Sequence, residues 1–240
     1  MAYTTINKPS ATAFNTKLYT GTGSAQSITG VDFQPDMVWI KDRTGTGYHR
    51  INDAVRGATK EIYPNVTNAE NTEPQAVTSF DTDGFTVGSN NGYSQNGYNF
   101  ASWNWKANGA GSANTDGSIS STVSVNATSG FSIVSYTGNG SAGATVGHGL
   151  GSTPKMIIVK KTNGTASWKV YHASVGATAS CPLNTNGIFD VEIYPWNNTE
   201  PTSSVFSLGT TGETNGSGAN IIAYCFSDVQ GFSKMGSYTG

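Results

Sequence analysis

The sequence predicts an all-β protein of two tandem antiparallel β-sandwich modules, jelly-roll or lectin-like, with duplicated topology. Three observations carry that expectation. The chain states its strings twice: Phe33-Gln34-Pro35-Asp36-Met37-Val38-Trp39-Ile40-Lys41 returns as Gly151-Ser152-Thr153-Pro154-Lys155-Met156-Ile157-Ile158-Val159-Lys160. Pro35 and Pro154, like Lys41 and Lys160, stand 119 residues apart. Apolar residues recur at period 2 or in short continuous runs, and no stretch holds a 3.6-residue period for three turns. Glycine, at 30 positions, cuts these runs at the spacing of turns.

Residues 1–110 form the first module and residues 111–240 the second, with an extra strand at the join. Phe14 to Gly21 opens the first module and Phe131 to Gly138 the second. A third copy, Phe232 to Gly240, reads either as a closing edge strand of the second module or as the opening of a third. Met37 to Ile40 and Met156 to Val159 are central strands. Each follows a proline that fixes the chain's entry without removing an internal ladder donor. Ser79 to Val87 is a hairpin, with Asp83-Gly84 suited to the positive-φ positions of a tight turn. Trp103 and Trp105 share one strand face, as do Tyr224 and Phe226. The only helical candidates are the turn over Ile51 to Arg56, closed by Gly57, and its counterpart before Gly176; both are too short to be stable alone. In the join, Ile119, Ser121, Val123 and Val125 alternate, which gives the extra strand. Trp39, Trp103, Trp105, Phe85, Met156, Ile158, Phe206 and Phe226 are expected to supply most of the apolar burial.

Composition narrows the function. Only 12% of residues are charged and the formal net charge is -2, so the surface is polar through Ser, Thr, Asn and Gly. Such a surface has no field to gather phosphates, and neither nucleic acid nor an anionic membrane is an expected partner. It suits an extracellular particle or a large assembly. Met1 to Pro9 lacks a signal-peptide apolar run, and no segment approaches the ~18 apolar residues that span a bilayer. Export by the usual route and membrane insertion are therefore not expected. Cys181 and Cys225 have no counterparts in the first module, so the fold does not depend on a bridge between them, and two free thiols are expected.

No catalytic constellation emerges. His49, His148 and His172 lack a second ligand at metal spacing, and His148 reads as a glycine-flanked surface loop residue. Asp81-Thr82-Asp83-Gly84 resembles the start of a calcium loop but lacks its later oxygen ligands, so a hairpin turn is the plainer reading. Glu73-Pro74 and Glu200-Pro201 recur at an offset of 127, which suggests carboxylates anchoring equivalent loops through backbone N–H groups. Gly-x-Ser-x-Gly and a phosphate-cradling glycine loop are absent. No metal and no cofactor is expected, and an enzyme is not. Binding would lie in the rings beside Gly/Asn-rich loops: Tyr48, Tyr93, Tyr98, Tyr194 and Trp196. These could stack on sugar faces while amides bond hydroxyls; equally, they could cover the end of a sandwich or pack against a neighbouring subunit.

The strings Tyr19-Thr20-Gly21-Thr22-Gly23, Phe33 to Lys41, Phe80-Asp81-Thr82-Asp83-Gly84-Phe85 and Trp103-Asn104-Trp105-Lys106 carry a resemblance. In the second copy Phe131 to Gly140 and Pro154 to Lys160 carry it too. With them the chain resembles a family of repeated β-modules in virion proteins of marine bacteriophages, especially those of cyanobacteria. The resemblance covers nearly the whole chain. It implies a virion structural component, a tail-fibre or appendage protein that contributes to host attachment, with no catalytic residues to carry over. A capsid decoration protein is the alternative, and a polysaccharide depolymerase a distant one. The partners implied are other virion proteins, copies of the chain itself and host cell-surface polysaccharide. The implied location is the virion, assembled in the host cytoplasm.

Overall fold

The computed structural model describes residues 13–238 and is mainly β, with several small antiparallel sheets. It divides into two compact units that part between Ala110 and Gly111. None of the described helices is long and apolar enough to cross a membrane.

The first unit runs β1 (Phe14–Thr20), β2 (Gln26–Thr29), β3 (Met37–Asp42), β4 (Arg50–Asp53), β5 (Lys60–Glu61), β6 (Asn71–Thr72), β7 (Val77–Asp81), β8 (Gly84–Val87), the one-turn helix α1 (Asn91–Ser94) and β9 (Asn99–Trp105). Its main sheet has the order β1-β9-β3-β4, beside a three-stranded sheet β2-β8-β7 and the pair β5-β6. Val38, Ile40 and Phe100 from the main sheet meet Ile28, Val77, Phe85 and Val87 from the second sheet in one apolar core. Tyr19 stacks on Phe100 at its edge, with ring centroids 5.1 Å apart.

The second unit runs β10 (Ser112–Asn114), β11 (Ser121–Asn126), β12 (Phe131–Thr137), β13 (Ala144–Gly147), β14 (Met156–Lys161), β15 (Lys169–His172), β16 (Ala179–Ser180), β17 (Asp190–Val191), β18 (Val205–Leu208), α2 (Gly212–Asn215) and β19 (Asn220–Phe226). Its main sheet has the order β10-β11-β12-β19-β14-β15, with pairs β13-β18 and β16-β17 beside it. The core gathers Val134, Tyr136, Ile157, Val159, Ile221 and Ala223 from one sheet face with Val146, Phe206 and Leu208 from the β13-β18 pair.

Strand order and register recur between the units. The order β1-β9-β3-β4 returns as β12-β19-β14-β15. Trp39 lies opposite Trp103, and Ile158 lies opposite Tyr224. The hydrogen bonds recur too: Gly57 N donates to Asp53 O at 3.0 Å, and Gly176 N to His172 O at 3.0 Å. Both glycines hold positive φ, +103° and +87°, a region that costs an L side chain but not glycine. Tyr19 Oη donates to Tyr93 O, as Tyr136 Oη does to Thr214 O.

Several expectations need correction. Ile51 to Asp53 is strand β4, not the start of a helical turn, because the backbone pairs with β3. The helical turns lie instead at α1 and α2. The hairpin between β7 and β8 forms, but its positive φ is at Gly84, in the strand and outside the two-residue turn. Phe85, Phe206, Ile158 and Phe226 are buried, whereas Trp39, Trp103, Trp105 and Met156 are only half-buried. Those tryptophans lie on the main-sheet face turned away from the Val38–Ile40–Phe100 core. The third copy of the opening string forms no strand over its described residues, Phe232 to Tyr238; Thr239 and Gly240 lie outside them. The join supplies two strands, β10 and β11.

Candidate functional site

The recurrence of hydrogen bonds settles which residues are equivalent. Glu73 N donates to Thr59 O and Glu192 N to Thr178 O. Gly88 N donates to Ala76 O and Gly209 N to Pro195 O. The equivalent of Glu73 is therefore Glu192, and that of Val77 is Trp196; the matching Glu-Pro pair at Glu200 is coincidental. Both glutamates named from sequence do accept backbone donors. Glu73 Oε1 takes Gln75 N at 2.9 Å, and Glu200 Oε1 takes Ala177 N at 2.8 Å. They anchor different loops.

This bears on the five candidate rings. Trp196, in the position of buried Val77, is itself buried and meets Tyr171 edge-on at 5.9 Å. Tyr93 is fully buried in α1. Neither ring has a face open to a sugar, and both leave the list of stacking candidates. Tyr98 is half-buried and packs against the first unit's core. Tyr48 and Tyr194 are exposed, at 46% and 61%. His148 is also buried, its Nε2 3.2 Å from Thr202 O and its Nδ1 accepting from Leu150 N. Burial lowers its pKa, so the ring is neutral in the fold.

Two of the five, Tyr48 and Tyr93, converge on a polar cluster in the first unit. Its centre is Glu61, at the end of β5 and buried. Glu61 Oε1 accepts from Tyr63 Oη at 2.6 Å and Asn71 Nδ2 at 2.9 Å. Tyr93 Oη lies 2.7 Å from Glu61 Oε2 and 2.9 Å from Asn52 Oδ1. Arg50 Nε sits 3.3 Å from Glu61 Oε2, an ion pair without hydrogen-bond alignment. The Arg50 guanidinium lies 5.3 Å over the Tyr93 ring, and its Nη1 donates to the carbonyls of Tyr48 and Gly92. Tyr48 then meets the Tyr63 ring edge-on at 5.7 Å. One mainly buried framework thus carries one exposed ring.

The chemistry of this cluster is that of a brace. Burial, reinforced by Glu61, holds the hydroxyls of Tyr93 and Tyr63 far above the ordinary phenol pKa, so both remain donors. Glu61 accepts from three side-chain donors and faces a cation, so both its oxygens are engaged within the cluster. Sequence reasoning missed Glu61 altogether. Its one visible signal was that the 119-residue offset sets a glutamate against Ser180.

The second unit rebuilds the same place differently. Glu192 Oε2 accepts from Lys169 Nζ and Ser180 Oγ, each at 2.6 Å. Tyr171 Oη donates to Glu200 Oε2 at 2.5 Å. Both aspartates of the calcium-like string hold the hairpin and its neighbours. Asp83 accepts from Gly30 N and Asp32 N, and Asp81 Oδ2 accepts from Thr86 Oγ1. Among the described residues no group of His, Cys, Asp and Glu could hold a metal ion.

Residues 8–240 match the model of a family described as a domain of unknown function, DUF7483. The chain belongs to that family. No curated protein and no solved structure matches it.

Proposed function

We propose that the chain is a structural component of a bacteriophage virion, a tail-fibre or appendage protein that contributes to host-surface attachment. On this reading the two units are copies of one antiparallel β-sandwich module. The observation that carries it is the Glu61 brace, which fixes an exposed Tyr48 ring on a sheet scaffold and leaves its own ionic groups engaged internally. A ring held that way can stack on a sugar at small entropic cost. The nearly uncharged Ser/Thr/Asn surface supports an assembled particle over a free cytosolic protein. The resemblance to marine-phage β-modules supports the same place. The partners proposed are other virion proteins, further copies of the chain and host polysaccharide.

A second reading, a capsid decoration protein, is favoured by one feature. Ile188 and Val191, at the β17 hairpin, are 81% and 82% exposed, where the first unit has the small Ala69 and the polar Thr72. Large apolar side chains that the sister unit does without suit a protein neighbour. Particle imaging with labelled chain and adsorption to host cells separates the two. Attachment expects tail location, and adsorption that falls when Tyr48 and Tyr194 become Ala. Location on the capsid shell, with no binding to any envelope fraction, favours decoration.

A further inference from the structure

The six-stranded sheet of the second unit carries a groove of about 380 Å³ where Thr137 pairs with Asn220. Its face is a lattice of small polar side chains. Thr122 on β11 stands opposite Ser135 on β12, and Ala113 on β10 stands opposite Thr122. One pleat along, Ser120, Thr137 and Asn220 make the next row. Opposed side chains in such a sheet lie ~5 Å apart and successive rows ~7 Å apart.

The mark of this groove is unengaged hydrogen-bonding capacity. The side chains of Ser120, Thr122, Ser135, Thr137 and Asn220 bond to no other described residue. A neighbouring residue and the equivalent pair in the first unit are committed instead. Two residues before the groove, Ser118 Oγ accepts from Thr145 N at 2.9 Å. In the first unit Thr20 and Asn99 occupy the register positions of Thr137 and Asn220, and there Thr20 Oγ1 donates to Asn99 Oδ1 at 3.1 Å. The groove also depends on β10 and β11, which have no counterpart among the described residues of the first unit.

We propose that this groove binds an uncharged polyhydroxylated ligand, a neutral saccharide chain. Each hydroxyl can donate one hydrogen bond and accept two, and an amide can do both, which matches a polyol and not an ion. Among the described residues no charged side chain lines the groove. The methyl groups of Ala113, Thr122 and Thr137 offer apolar contact to sugar C–H faces. No aromatic face stands in the lattice, since Tyr136 turns its ring into the core, so one groove binds weakly and repeated copies supply avidity. The inference rests on the attachment reading and assigns it a second, distinct contact.

Chemical-shift mapping on the full chain, with cellotetraose, maltotetraose or mannotetraose raised to about 10 mM, tests it. At least one sugar should give saturable shifts centred on the groove amides. The double variant Ser135→Ala with Thr137→Val removes two hydroxyls at nearly constant volume and should weaken that binding by ~10-fold or more. Thr20→Val in the first unit should leave the titration unchanged. If the double variant unfolds, Ser120→Ala at its exposed position should still weaken binding by about 3-fold. Absence of saturable shifts with all three sugars, undiminished binding by the variants, or equal binding of acidic tetragalacturonate overturns the proposal. Shifts confined to Tyr48 or Tyr194 overturn it while leaving attachment standing. Absence of the chain from purified particles sinks the attachment reading and leaves the sugar titration intact.

Discussion

The two units share a backbone hydrogen-bond frame and fill it with different chemistry. Where the first unit places Arg50, Asn52, Glu61 and Tyr93, the second places Lys169, Tyr171, Ser180 and Thr214. The first braces this region with one buried carboxylate serving two tyrosines, an asparagine and an arginine. The second divides the work between two glutamates outside the core. On the main sheet, half-buried Trp39 and Trp103 answer to buried Ile158 and Tyr224. Register and turn glycines are therefore what the fold demands, and ring identity and ion pairing are what it leaves free.

The largest expected effect tests the equivalence of Val77 and Trp196. Trp196→Ala should cost ~3–5 kcal/mol of stability, because a fully enclosed ring leaves a large cavity. Trp39→Ala should cost clearly less, since its ring is half-buried. Chemical denaturation followed by fluorescence measures both, and equal losses would break the packing contrast between the units.

Next comes the brace. Glu61→Gln replaces an acceptor of charged hydrogen bonds with a group that presents an N–H to existing donors, at a cost of about 1.5–3 kcal/mol. Ser180→Ala, at the equivalent place, removes one donor to a half-exposed carboxylate and should cost about 1 kcal/mol or less. A larger loss at Ser180 would reverse the assignment of the first unit as the tightly braced one.

How far the sequence foretold this differs from residue to residue. Lys41 and Lys160, with their short apolar runs, disclosed the recurring strand order because strand register tolerates little slippage. Trp196 was misread because its Asn-rich flank looks like loop, when offset 119 carried through would have set it on core Val77. Tyr93 was misread because its Gly/Asn-rich flanks look like loop, whereas its burial is decided by Glu61, 32 residues away. Partners that distant leave no local pattern. The groove of the second unit escaped notice for the same reason: Ser120, Ser135 and Asn220 meet only through sheet pairing.

The smallest expected effect is on pH. Burial lowers the pKa of His148 in the second unit and, with help from the Lys41 charge, that of His49 in the first. Each therefore contributes stability that is full above the unfolded value near 6.5 and is lost as pH falls through the lower folded value. Urea midpoints should fall between about pH 7.5 and 5.5, and His148→Gln should flatten part of that slope. A midpoint that rises on acidification over this window would contradict a neutral His148. Asp36, whose pKa burial raises, acts in the opposite sense nearer the carboxylate range.

Cys225 gives the second unit a built-in clock. Its thiol is sealed in the core, where burial pushes its pKa up to about 12, and it bridges to nothing. Only a thiolate reaches an alkylating reagent at a useful rate, so Cys225 reacts when β19 leaves the sheet. Cys181, half-buried, reacts from the folded state and serves as the internal reference. The lag between the first and second alkylation of a chain then times the opening of the central strand, with no added label.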